Sequence, residues 1–109
     1  MAAGQNQLIA VKTLRSSDIQ GHINHEELEY YRGEVYILEL LRNNPMIPCI
    51  RDYWHDALGY HIAMELVPGG DLKNILRKKK FFTEVQTKFI VAQLVIFMQI
   101  LREHNIIYR

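Results

Sequence analysis

Cysteine is nearly missing from this chain: a single Cys49 among 109 residues excludes an internal disulfide. A domain that folds without one suits a reducing compartment, and Cys49 itself reads as a small strand residue rather than a reactive thiol. A dominant charge sign is missing too. Thirteen Lys and Arg against twelve Asp and Glu leave a net charge of +1. That provides none of the broad basic field that nucleic-acid backbones attract, so no nucleic-acid partner is expected. Residues 1–7 have neither the basic segment nor the apolar stretch of a secretory signal and read as a loop entering the first strand. The most apolar run, Phe89 to Leu101, is interrupted by Gln93 and Gln99. It falls short of the roughly 20 residues that cross a bilayer, so the expectation is a core helix and no membrane span. His22, His25, His55 and His61 come with no clustered cysteine or carboxylate set at ligand spacing, so no metal site is expected. No repeat, low-complexity linker or composition shift divides the chain into two complete domains.

What is present is the composition of a globular α+β domain: 49% hydrophobic and 23% charged residues, with enough length for one small core. A strand is expected over Leu8 to Leu14, followed by a polar link through Ser16, Ser17 and Asp18. From His25 to Arg42 the residues Leu28, Tyr31, Val35, Leu38 and Leu41 recur at steps of three and four, the period of a helix. Asn43-Asn44-Pro45 ends it. Two strands follow, Cys49 to His55 and Tyr60 to Leu66, with Asp56 to Gly59 as the turn. After Pro68-Gly69-Gly70, Asp71 is a natural N-cap for a short helix that ends in the Arg77 to Lys80 run. That run reads as a solvated helix end, with a basic docking patch as the alternative. Thr83-Glu84-Val85-Gln86 fits a capping box opening a helix of about 20 residues, to His104.

Five segments in this order resemble the protein kinase domain. Ile9-Ala10-Val11-Lys12 is similar to the family's Val-Ala-Ile-Lys strand, and Glu34 lies on the following helix where the ion-pair glutamate belongs. The stretch from Met64 to Leu72, reading Met-Glu-Leu-Val-Pro-Gly-Gly-Asp-Leu, is similar to the hinge and the start of the next helix. Phe82-Thr83-Glu84 opens the long helix, and Ile106-Ile107-Tyr108-Arg109 resembles the approach to the catalytic loop. Tyr-Arg in place of the commoner His-Arg, together with the Pro-Gly-Gly-Asp-Leu segment, resembles the AGC group of serine/threonine kinases. The implied fold is a partial kinase: an incomplete small lobe of antiparallel strands and one helix over about 8–66, a hinge at 67–70, and the first helices of the large lobe over 71–109.

The resemblance also implies roles. Lys12 and Glu34 are the catalytic candidates, Lys12 holding the α- and β-phosphates of ATP while paired with Glu34. Glu26, Glu27, Glu29 and Glu39 compete on the same helix. Glu34 is chosen because it shares a face with Tyr31, Leu38 and Leu41. Ala10 lies above the adenine, Met64 is the gatekeeper, and the Glu65 carbonyl and Val67 amide and carbonyl hold adenine edges. Leu72 lies beneath the ring. Asp71 takes ribose hydroxyls or a basic substrate residue, or serves as the helix N-cap, and both roles can hold. Val11 is read as strand core, and Leu38, Ile50 and Tyr108 as members of the spine that links the lobes.

The departures matter equally. No Gly-x-Gly-x-x-Gly precedes Lys12, Gly4 being the one glycine before it. The catalytic aspartate, the magnesium-binding asparagine and the Asp-Phe-Gly segment are not among the 109 residues. The expectation is a piece of an ATP- and Mg2+-dependent serine/threonine kinase, inactive as this isolated chain, which phosphorylates protein hydroxyls only when completed and resides in the cytoplasm. The alternatives are a non-catalytic module whose exposed core is covered by a protein partner, and a helical adaptor unrelated to kinases.

Overall fold

The computed structural model describes residues 7–15 and 23–109. The expectations for the N-terminal segment with Gly4, for Ser16, Ser17 and Asp18, and for His22 fall outside those residues. The chain divides into two compact units, Met1–Pro68 and Gly69–Arg109.

In the first unit, β1 (Ile9–Arg15), α1 (His25–Leu40), β2 (Ile50–Asp56) and β3 (Gly59–Glu65) follow in order. The strands form an antiparallel sheet in the order β1-β3-β2. Each boundary falls within two residues of expectation. The turn is tighter than expected, with only Ala57 and Leu58 between β2 and β3. The Asp56 carboxylate accepts from the Leu58 amide at 2.8 Å, the local bond by which aspartate favours turns. Gly59 follows with φ of 139°, and a Cβ there would lie 2.1 Å from the Leu14 carbonyl oxygen. Only glycine permits β3 to leave the turn this close to β1. The Asn24 side chain caps α1 by accepting from the Glu26 amide at 3.0 Å.

Strand side chains alternate faces, so Ala10, Lys12 and Leu14 share one face with their partners Met64, Ile62 and Tyr60. The core forms on that face. Val35 and Leu38 of α1 pack with Ile50 and Ile62, flanked by Tyr31, Ile47 and Met64. Leu41 is also buried. The Tyr31 hydroxyl donates to the His61 carbonyl at 3.1 Å, and its ring meets Tyr60 edge-on at 5.0 Å. The periodicity of α1 thus selects the face that buries. Val11 corrects the strand-core reading: paired with Ala63 on the opposite face, it stays 49% exposed, because α1 covers only the other side.

The second unit holds α2 (Leu72–Lys79) and α3 (Glu84–Glu103). Asp71 caps α2, accepting from the Asn74 amide at 2.7 Å. The capping box of α3 is complete: Gln86 N–H donates to Thr83 Oγ1 at 3.2 Å, and Thr83 N–H to Gln86 Oε1 at 3.1 Å. The expectation of a core helix is not met within this chain. Leu101 alone is buried on α3, while Val85, Phe89 and Val95 stand exposed. One eight-residue helix and a short tail are too little surface to cover twenty residues. The length argument against a span also changes, since α3 has 20 residues and is long and apolar enough to cross a membrane by length and composition. Core helices of soluble proteins meet the same criterion.

Candidate active site

Lys12 projects from the middle of β1, directly opposite the fully buried Ile62. Glu34 projects from the middle of α1, on the stripe that also carries Tyr31 and Leu38. Because α1 docks on the Lys12 face of the sheet, the two side chains meet. Lys12 Nζ donates to both Glu34 carboxylate oxygens, at 2.9 and 2.7 Å. The side chains are 61% and 37% exposed. A pair so open to water contributes only about 0–1 kcal/mol to stability. Its consequence is positional: a compact ammonium on a rigid strand is held in one place with part of its surface still open to a second anion.

The other candidates sit as follows. Ala10 is half-buried opposite Met64, which packs against the core. The Glu65 amide donates to the Cys49 carbonyl at 2.8 Å, and its carboxylate accepts from the Cys49 amide at 3.2 Å. Val67 follows at 61% exposure. Among the described residues no backbone hydrogen bond outside the regular elements engages its amide or carbonyl. Leu38 and Ile50 share the buried cluster of the first unit. In the second unit Asp71 is the α2 cap, Leu72 is exposed, and the Tyr108 ring meets Phe97 edge-on at 5.9 Å. Among the described residues no three His, Cys, Asp or Glu side chains gather as a metal site.

Two arrangements escaped sequence reasoning. The first is a hydrogen-bonded chain across the sheet: Asp56 Oδ1, His61 Nε2, then His61 Nδ1 and Thr13 Oγ1, each contact 2.9 Å. A carboxylate only accepts, so Nε2 carries the proton it donates, and the buried ring stacks on Trp54 at 4.9 Å. Hydrogen bonds from His61 and from the Leu58 amide hold the Asp56 carboxyl below its ordinary range. Burial, with smaller contributions from Tyr53, Tyr60 and Asp52, pushes the Tyr31 hydroxyl up. The second is the burial of Glu27 Oε2, which has no hydrogen-bond partner among the described residues. The place of Glu27 seven residues before Glu34, two turns along one stripe, was the available signal.

The model of the protein kinase domain matches residues 1–109. Protein kinase C eta type of Mus musculus is 31% identical over 103 residues, 94% of this chain and 15% of that protein. Developmentally-regulated protein kinase 1 of Dictyostelium discoideum is 33% identical over 106 residues, 97% of this chain and 14% of that protein. The cAMP-dependent protein kinase catalytic subunit of Schizosaccharomyces pombe is 29% identical over 100 residues, 92% of this chain and 19% of that protein. The chain therefore spans less than a fifth of these relatives. No solved structure matches it. With the strand lysine and helix glutamate joined as the motif requires, the chain belongs to the protein kinase domain family, and its relatives are kinases of the AGC group.

Proposed function

We propose that this chain is part of an ATP-dependent serine/threonine protein kinase, with residues 8–66 in the small lobe, 67–70 the hinge and 71–109 the start of the large lobe. The observation that carries the reading is the Lys12–Glu34 pair, closed at 2.7 Å between β1 and α1. Bound ATP supplies the γ-phosphoryl group. Lys12 neutralises and orients the α- and β-phosphates while Glu34 keeps the ammonium from swinging away, the kind of positioning and charge stabilisation that phosphoryl transfer depends on. Ala10, Met64 and the backbone of Glu65 and Val67 are the adenine contacts of the first unit. Asp71 and Leu72 are further nucleotide positions by resemblance. Among the described residues no cluster of three His, Cys, Asp or Glu side chains is present to hold magnesium. The completed kinase acts on protein hydroxyls in the cytoplasm, and the 109-residue chain alone has no turnover.

The test is a chimera in which this chain replaces the matching segment of the Mus musculus protein kinase C eta type. Phosphorylation of a serine peptide is expected, and Lys12→Met should lower it about a hundredfold or more, as losing a phosphate-stabilising group does. A chimera equally active with Met at position 12 removes the role of Lys12. Lys12-dependent phosphorylation by the isolated chain removes the proposal that it is inactive alone.

The exposed apolar surface of α3 favours a second reading, a non-catalytic module whose helix is covered by a protein partner. Saturable nucleotide binding without turnover in the chimera supports that reading.

A further inference from the structure

Glu27, Tyr30, Tyr31 and Glu34 follow one another at steps of three, one and three, which places them on one stripe of α1. With Lys12, Leu14 and Ile62 from the sheet face below, they line a cavity of about 230 Å3. The volume lies below the roughly 300 Å3 at which sites for drug-sized molecules begin, and suits a group the size of one side chain. Leu14 and Ile62 make part of the wall apolar, and two tyrosine rings add aromatic surface. Among the described residues the charged groups on the wall are two carboxylates and one ammonium. Lys12 is already joined to Glu34. Among the described residues Glu27 Oε2 is buried and has no hydrogen-bond partner. A buried carboxylate oxygen without a donor is costly and rare in a folded chain, so this one calls for a ligand that brings a donor.

We propose that this cavity binds an organic cation, a primary ammonium or guanidinium on a short aliphatic stem, with Glu27 as its counter-ion. The head group donates to Glu27 Oε2, the stem lies against Leu14 and Ile62, and the tyrosine rings favour a cation over a neutral group. A divalent metal fits less well. Calcium takes six to eight oxygens and magnesium a near-octahedral six, whereas Glu34 is committed to Lys12 and most of the remaining wall is carbon. The inference stands apart from the assignment of Lys12 to nucleotide, because it leaves the Lys12–Glu34 pair intact.

The 109-residue chain is titrated with n-butylammonium chloride, and separately with neutral n-butanol at the same ionic strength, while the ring protons of Tyr30 and Tyr31 are followed by NMR. A saturable shift is expected with the ammonium at a midpoint about tenfold or more below that of the alcohol. Glu27→Gln should bring the two midpoints together. Equal midpoints for ammonium and alcohol on the unaltered chain overturn the proposal without reliance on any variant. So does a Glu27→Gln chain that keeps the cation preference. Two short peptides, identical except for lysine or norleucine at one position, identify the source. Preference for the lysine peptide assigns the cavity to a protein side chain, and binding of the free ammonium alone assigns it to a small amine.

Discussion

Two donors converge on the Asp56 carboxylate, the His61 ring and the Leu58 amide, and both favour its ionised form. Its folded pKa lies below the ordinary 3.8. The sign follows: the stabilising contribution is fully present above the unfolded value and is lost as pH falls through the lower folded value. Acid unfolding of the first unit, followed by fluorescence of Trp54 stacked on His61, should therefore include a part below about pH 4 that Asp56→Asn removes. The asparagine oxygen still accepts both bonds but does not titrate. An unchanged acid limb in the variant would rule out this assignment. The contrast with Lys12 and Glu34 shows what a sequence makes legible. That pair follows from two local periods, alternate positions on a strand and steps of three and four on a helix, joined by a resemblance. The Thr13–His61–Asp56 chain depends on cross-strand register, and Thr13 lies 48 residues from His61; no local pattern carries that information.

Secondary elements were legible where their ends are built from neighbouring side chains. Asn24, Asp71 and Thr83 each satisfy an amide two or three residues ahead, so short-range chemistry sets where α1, α2 and α3 begin. Strand detail was less accessible. The register shift between Ile50 and Asp52 reflects pairing with β3, and the exposure of Val11 reflects which sheet face α1 covers. On α3 the cap has unusual weight because so little of the helix is buried. Thr83→Ala should cost about 1 kcal/mol, felt as fraying of the first turn rather than as loss of the whole fold. Amide hydrogen exchange at residues 84–87 should accelerate about fivefold, the factor corresponding to that free energy, with exchange in β3 unchanged. Equal exchange at those amides in both chains would mean that the cap contributes nothing.

For the whole molecule, the decisive imbalance lies between a first unit with a packed core and a second unit whose longest helix is mostly uncovered. Val85, Phe89, Leu94, Val95, Ile96 and Met98 all retain half or more of their surface, and they lie around the helix rather than along one stripe. A helix apolar on every side is at rest only when surrounded, by protein or by lipid. Its composition satisfies both, but the kinase family implies protein. At micromolar concentration the isolated chain should sediment as concentration-dependent oligomers, and Phe89→Lys with Val95→Glu should shift it toward monomer while leaving the first unit folded. The chimera should remain monomeric without those changes, because the partner kinase supplies the missing cover. Phosphatidylcholine vesicles separate the two environments: if α3 belongs inside a kinase lobe, the chimera stays in the soluble fraction. Flotation of the folded chimera with the vesicles would assign α3 to the bilayer and contradict the core-helix reading.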